Sequence, residues 1–256
     1  MRIAAWNVNS IRARLDHLTD WLRAANPDVL CLQETKVIDD DFPANSFSRL
    51  GYECAWTGEK TYNGVAILSR HALHDVTIGH ADARAEDSAR LIAATVQGVR
   101  VLSAYIPNGK TLDSPSYAEK LEWLARLRKT LDATCKPEQA IVLGGDFNIA
   151  RDERDVFDPE QMRGKIHFSE REHQALDEVL SFGLTDSFRA FTEEGQLFSW
   201  WDYRMGAFRR NRGLRIDYLF VSKVVKEALR TATIDIEPRT WPKPSDHAPV
   251  LIEFDL

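Results

Sequence analysis

Five apolar segments of the sequence run into, or out of, an acid, an amide or a histidine. They are Trp6-Asn7, Leu32-Gln33-Glu34, Leu143-Gly144-Gly145-Asp146-Phe147-Asn148, Arg215-Ile216-Asp217-Tyr218, and Ser245-Asp246-His247 just before the last apolar run. One polar residue at a strand end is ordinary, but five such endings suggest that the ends converge in a cleft. Glu34, Asp146 and Asp246 supply hard oxygen ligands, and Asn7 and Asn148 supply neutral ones. Mg²⁺ or Mn²⁺ suits this set better than zinc, because neither clustered cysteines nor repeated histidines accompany it. Such an ion offsets phosphate charge and stabilises a developing pentacovalent state. Without a cation, carboxylates brought this close would raise at least one pKa. Among seven histidines His247 stands apart: Asp246 precedes it, Pro249 restricts the chain after it, and an apolar strand anchors it. A carboxylate such as Asp217 would hold its imidazole in one orientation.

The elements that must position these groups are legible as periodicities. Residues 2–6 read as a buried strand. Ile11, Leu15, Leu18 and Leu22 then recur at helical spacing until Pro27, and Val29 to Leu32 begin the next strand. If these two strands are parallel, Asn7 and Glu34 share one edge of a sheet. Tyr52 to Trp56 and Val65 to Leu68 read as strands, as do Arg90 to Val96 and Arg100 to Ile106 joined near Gly98. A second helix spans about residues 116–131, with Ser114-Pro115 as cap and first turn and Leu121, Leu124, Leu127 and Leu131 on one stripe. A third follows Ser169, where Glu172 completes a capping box. Ala140 to Leu143, Ile216 to Val221 and Val250 to Phe254 are core strands, and residues 152–165 read as a surface loop. Short strands mixed with few helices favour two packed sheets with helices outside over a barrel of eight regular units.

The 256 residues, 44% of them hydrophobic, suffice for one α/β domain spanning 1–256. Cysteines 31, 54 and 135 are scattered and point to neither disulfides nor zinc. The polar residues from Asn7 onward do not read as a signal or transit sequence, and no long apolar run reads as a membrane span, so a cytoplasmic protein is expected. The net charge of -6 argues weakly against a nonspecific nucleic-acid coat, yet a local basic face survives such averaging. Arg204 to Arg215 is that face: it holds five arginines and no acid, beside Trp200, Trp201, Tyr203 and Phe208. Arginines clamp backbone phosphates and aromatic rings pack on sugars or bases.

The strings WNVNSIRAR from Trp6, LQETK from Leu32, YNGVAILS from Tyr62, YIPNG from Tyr105 and LGGDFNIA from Leu143 appear in order. FSWWDYR from Phe198, NRGLRIDY from Asn211 and SDHAPV from Ser245 follow. Together they resemble the exonuclease III / AP endonuclease branch of the endonuclease, exonuclease and phosphatase superfamily, over nearly the whole chain. The resemblance implies a DNase I-like four-layer α/β sandwich, two packed mixed β-sheets flanked by helices. It also implies Mg²⁺-dependent hydrolysis of DNA phosphodiesters, with Mn²⁺ as a substitute. Family members cleave 5′ to abasic sites, remove 3′ blocking groups and degrade duplexes from 3′ ends.

Carried over by position, Glu34 becomes the main metal ligand, with Asn7, Asp246, Asp146 and Asn148 completing or supporting the site. Asp146 and Asn148 position or activate water, Tyr105 contacts the scissile phosphate, and His247 contacts it while paired with Asp217. Trp201, Phe208 and Leu214 are expected to wall the pocket for a flipped abasic sugar. Arg204, Arg209, Arg210 and Arg212 are expected on the DNA, with Arg12, Lys36, Lys60 and Lys110 on flanking phosphates. His167 stands where the family usually has a smaller residue, so its ring is expected to shift the balance between abasic cleavage and 3′-end processing. The expected partner is double-stranded DNA with abasic sites or 3′ ends, bringing the protein to the nucleoid, with no membrane or obligate protein partner. Two other readings stay open here: a phosphatase for small molecules or lipid head groups on the same scaffold, and a DNA-binding homologue without catalysis.

Overall fold

The computed structural model describes residues 1–256. The first half runs β1 (Arg2–Asn7), α1 (Leu15–Ala25), β2 (Val29–Gln33), α2 (Ala44–Ser48), β3 (Glu53–Thr57), β4 (Val65–Ser69), β5 (His74–Ile78), β6 (Leu91–Val96) and β7 (Val99–Tyr105). The second half runs α3 (Pro115–Thr134), β8 (Ile141–Asp146), α4 (Pro159–Met162), α5 (Glu170–Leu180), β9 (Leu184–Asp186), β10 (Asp217–Ser222), α6 (Lys223–Ala228), β11 (Leu229–Ile234) and β12 (Val250–Phe254). Two six-stranded sheets result, ordered β11-β12-β1-β2-β4-β3 and β5-β6-β7-β8-β10-β9.

Each sheet is mixed, because one helical crossover makes one parallel pair. Helix α1 returns the chain so that β2 lies parallel to β1, and α3 does the same for β7 and β8. The αL residue Asn26 (φ 48°) caps α1 and Pro27 prevents its continuation. Ile11 belongs to the turn before the helix rather than to its first residues, although it is buried as its periodicity suggests. Ser114 caps α3 by accepting from the backbone N–H of Tyr117.

Apolar residues fill three layers. Ile3, Ala5, Cys31, Val101, Val142 and Leu219 pack between the sheets. Trp6, Leu18, Trp21, Leu22, Leu30 and Leu68 lie between the first sheet and α1. Leu124, Leu127, Leu143, Leu176 and Phe220 lie between the second sheet and the α3/α5 pair. The layers are therefore helix, sheet, sheet, helix, as the resemblance implies.

Register then decides which residues meet. Asn7 stands beside Gln33 in the first sheet. In the second, Asp146 stands between Tyr105 on β7 and Asp217 on β10. Residues two apart share a face, so Asn7 continues the inward row of Ile3 and Ala5, and Asp146 that of Val142 and Gly144. The polar ends of both rows meet at one edge of the sandwich.

Three strands escape the sequence patterns. β5 is exposed throughout, β9 has three residues, and β11 is an edge strand with only one buried residue. Residues 152–165 are not simply a surface loop. Asp155 is wholly buried and accepts from Arg215 (2.7 and 2.9 Å) and Arg189 (2.5 Å), pinning the segment to the core.

Two glycines permit close approaches next to Asp146. A Cβ on Gly144 would stand 2.6 Å from Leu219 Cδ2 and 3.4 Å from Ala5 Cβ, across the sandwich. A Cβ on Gly145 (φ +143°) would lie 1.9 Å from the Ala104 carbonyl oxygen, inside the β7–β8 ladder. Gly145→Ala should therefore destabilise the fold by about 3 kcal/mol or more, from overpacking and a disfavoured φ. Urea denaturation measures this, and an unchanged midpoint would refute the close approach.

Candidate active site

The chain segments after the strand ends carry the groups inward. Beyond β1 the backbone N–H groups of Val8, Ser10 and Ile11 donate to the carbonyls of Gln33, Glu34 and Thr35 (2.8–3.1 Å), clamping the turn that presents Glu34. Glu34, Lys36 and Asn148 all hold left-handed backbones (φ 52°, 55° and 52°). Such conformations cost about 1–3 kcal/mol each and cluster at functional sites.

Asn7 bridges the sheets. Its Nδ2 donates to Glu34 Oε1 (2.8 Å) and Asp146 Oδ2 (2.9 Å). Asp146 Oδ1 accepts from the backbone N–H of Asn148 (2.9 Å). Asn148 Nδ2 donates to Ile106 O (3.1 Å), and its Oδ1 accepts from Asn108 Nδ2 (3.1 Å). Opposite, His247 Nδ1 lies 2.9 Å from Asp217 Oδ2, which also accepts from Ser199 Oγ (2.7 Å). That pairing turns His247 Nε2 toward Asp146 Oδ2, 3.8 Å away. One ligand atom from each of Glu34, Asp146 and His247 falls within 4.8 Å of the others.

The electrostatics follow from this crowding. Burial pushes the Asp146 carboxyl up to about 7; His247 opposes the rise, while Asp217 and Glu34 add to it. Burial also disfavours charge on His247, but Asp217 and then Asp146 outweigh it and hold the imidazole up to about 10. The neighbouring carboxylates thus favour the protonated imidazole, with Nδ1 paired to Asp217 and Nε2 facing Asp146. Burial works against charge on Glu34, yet Lys36 (2.7 Å) and Asn7 keep its carboxyl below the usual range. Burial, Glu34 and Asp146 push the Tyr105 phenol well above its ordinary value, so it stays a donor. The oxygen donors of Glu34, Asp146 and Asn7 fit a hard divalent cation, whose charge would relieve the rise at Asp146.

Asn7, Glu34, Tyr105, Asp146, Asn148, Asp217 and His247 are thus brought together as the sequence predicts. Asp246 is not: its two oxygens accept from Asn9 Nδ2 (2.9 Å) and Trp200 Nε1 (3.0 Å), so it braces the site from outside the close group. Lys36 reaches Glu34 and Asn9 Oδ1 (2.6 Å) rather than open solvent.

Beside the cluster lies a cavity of about 590 Å³ lined by His167, Trp200, Leu214, Arg204, Arg210 and Arg212 among others. Trp201 and Phe208 are not in its wall. They line a separate apolar depression with Phe198 and Ile234, because successive residues of an extended segment face opposite ways and Trp200 takes the cavity side. Arg212 lies over the Phe157 ring (4.3 Å), and Arg204 pairs with Asp202 (2.9 Å). Arg209 and Lys110 are exposed outside the cavity lining, and Arg12 is engaged by Asp41 (2.6 Å). The fifth arginine, Arg215, is buried among Asp155 and Asp186.

His167 also has a left-handed backbone (φ 71°). Its Nδ1 is 2.6 Å from the Asn148 carbonyl and its Nε2 is 3.5 Å from Asn108 Nδ2. Asn9, Asn108, Ser199 and Trp200 are site residues that strand-end reasoning passes over, since they lie in turns or act on other side chains. The WNVNSIRAR, YIPNG and FSWWDYR strings are the signals that contain all four.

Comparison with known proteins gives a consistent picture. The model of the Endonuclease/Exonuclease/phosphatase family matches residues 4–247. An exodeoxyribonuclease III of Haemophilus influenzae is 32% identical over 266 residues, covering 99% of this chain and 100% of that protein. A 3′ phosphatase from Neisseria, solved with product DNA hairpin, superposes with TM-score 0.97 at 44% identity, covering 100% of both chains. An AP endonuclease from Archaeoglobus fulgidus gives TM-score 0.96 at 37% identity, again over 100% of both.

The His247–Asp217 pair yields a direct test. The charge on His247 stabilises the folded state fully below pH 6.5, and that contribution is lost as pH rises to about 10. In chelated protein, Asp217→Asn should lower the His247 titration midpoint by about one unit or more. Imidazole ¹⁵N shifts followed with pH check this, and an unmoved midpoint would refute the pairing.

Proposed function

The chain belongs to the endonuclease/exonuclease/phosphatase family, in its exonuclease III / AP endonuclease branch, and from that membership we propose how its residues divide the labour of a DNA-repair phosphodiesterase. The enzyme hydrolyses DNA phosphodiesters at a divalent-metal site, for which we assign Mg²⁺, with Mn²⁺ able to replace it. The observation that carries the reading is the meeting of Glu34, Asp146 and the Asp217-held His247 beside a cavity rimmed with arginine. We take residues 1–256 as one domain acting on duplex DNA at the nucleoid. No helix is long and apolar enough to cross a membrane.

Glu34 is the principal metal ligand, and Asn7 fixes both Glu34 and Asp146 through its amide nitrogen. The ion, when bound, neutralises phosphate charge and lowers the pKa of water. Asp146 takes the proton from the attacking water as general base. Asn148, locked against Asp146 and Asn108, orients that water. Asp217 occupies His247 Nδ1, so the Nε2–H is free to donate to a nonbridging phosphate oxygen where charge develops. The Tyr105 hydroxyl donates to the same group. In-line attack breaks the P–O3′ bond, the departing 3′ oxygen takes a proton from solvent and Asp146 returns its own to solvent, leaving a 3′ hydroxyl on one side and a 5′ phosphate or inorganic phosphate on the other.

His167 sets the substrate range. Its ring stands between the Asn148 loop and the cavity lined by Trp200 and Leu214, in a backbone conformation that glycine adopts more readily. A 3′-terminal phosphate needs only the cluster, whereas a flipped abasic sugar needs the space the ring takes. The enzyme on this reading favours 3′-end processing over internal abasic cleavage.

A labelled duplex panel bearing a 3′ phosphate, an abasic site, a 3′ mismatch or an intact end tests the whole reading. Activity should vanish on chelation and return with Mg²⁺. Turnover of small phosphomonoesters with none on DNA would overturn it. Asp146→Asn should cut kcat by about 10³-fold, and full activity would remove Asp146 from its role. His167→Gly should raise the ratio of abasic cleavage to 3′-phosphate release by about tenfold or more, and an unchanged ratio would sink the selectivity role.

A further inference from the structure

Behind the site, Lys120 of α3 and Glu172 of α5 form an ion pair in which both side chains are 0% exposed. Lys120 Nζ also donates to the backbone carbonyls of Asn148 (2.7 Å) and Asn108 (3.2 Å). Glu172 Oε1 accepts from the backbone N–H of His167 (3.1 Å), while Oε2 accepts from the N–H and Oγ of Ser169 (3.1 and 2.6 Å). The Ser169 hydroxyl is bonded in turn to the Tyr117 hydroxyl (2.6 Å). The Asn148 carbonyl is shared, since His167 Nδ1 also meets it. Three irregular segments, carrying Asn108, Asn148 and His167, therefore end on one buried pair.

Stability alone does not explain the pair. Desolvating two ions costs several kcal/mol each, and apolar residues of similar volume often stabilise a core as well or better. Apolar residues could not, however, hold the carbonyls of Asn108 and Asn148 or the N–H of His167. Asn148 and His167 sit in left-handed backbones that regular structure does not enforce. Their placement depends on these bonds.

We propose that Lys120 and Glu172 are positioning residues for the reaction, setting Asn148 against Asp146 and His167 at the cavity mouth through the backbone. The proposal rests on the roles given above to Asn148 and His167. Lys120 acts on the turnover side, because Asn148 orients water. Glu172 acts on the selectivity side, because it holds the His167 N–H. Neither touches DNA, so substrate affinity should be nearly indifferent to both.

The test is the double variant Lys120→Met/Glu172→Met, assayed with Mg²⁺ on 3′-phosphate and abasic duplexes. It should remain folded at the assay temperature with a lowered melting temperature, because the carbonyls of Asn108 and Asn148 and the N–H of His167 lose buried partners, and KM should change by less than about threefold while kcat falls by about 100-fold. The preference for 3′-phosphate over abasic substrate should shrink at least about fivefold. Glu172→Gln keeps the volume and an acceptor oxygen but removes the charge facing Lys120, and its kcat should fall by about tenfold. If the double variant fails to fold, Glu172→Gln decides. A folded variant of either kind with kcat within about twofold of the parent overturns the proposal. His167→Gly run in parallel separates the two readings: an unchanged substrate ratio there discards the role of His167 and leaves the kcat test of the pair intact.

Discussion

Asp146 carries a constraint to which much of the structure answers. Its carboxylate is 1% exposed, next to a second acid across the sandwich and a third on the neighbouring strand. A carboxylate so placed tends toward its neutral form unless donors and positive charge oppose that tendency. The surrounding groups hold that balance. Asn7 and Asn148 donate to it, His247 offsets its charge, and Asp217 fixes His247. Lys36 removes part of the burden by pairing with Glu34. A hard divalent cation completes the compensation, so metal binding and the poise of Asp146 are one electrostatic problem.

The fold solves the geometric half of that problem with few devices. Each sheet contributes a row of inward residues, and each row changes from apolar to polar at the same edge. At Gly144 a Cβ would crowd Leu219 on the neighbouring strand and meet Ala5 across the sandwich, and at Gly145 it would strike the Ala104 carbonyl within the β7–β8 ladder. Both glycines immediately precede Asp146, whose Oδ2 accepts from Asn7 Nδ2 across the sandwich (2.9 Å). Packing and chemistry are linked at the Leu143-Gly144-Gly145-Asp146 string, and a mutation meant to affect one will disturb the other.

What the sequence makes legible divides along the same line. Asn7, Glu34, Asp146, Asp217 and His247 announce themselves because each interrupts or borders an apolar run, and strand periodicity fixes the face on which they lie. Side chains that act through irregular backbone carry no such mark. Trp200 and Trp201 are equivalent as letters, and only the pairing of Trp200 with Leu214 and His247 decides which one faces the cavity. Asp246 stands beside His247 in sequence, and its ties to Asn9 and Trp200 are ones that its letters do not show. Lys120 is wholly buried, and its partner Glu172 lies 52 residues away, so no local pattern marks the pair. β5, β9 and β11 are set by their neighbours rather than by their own hydrophobicity.

The arginine-rich segment shows how net charge and local charge part company. One of its five arginines, Arg215, belongs to the core with Asp155 and Asp186, and another, Arg204, is matched by Asp202. Arg210 and Arg212 remain at the cavity rim with Lys165, close to the cluster where a phosphate must enter. An acidic protein can recruit a polyanion through so small a patch because screening confines the interaction to about 8–10 Å. Acidic residues elsewhere on the surface are then largely invisible to DNA already at the mouth. The negative total reflects the remainder of the surface, while the rim beside the cluster is basic.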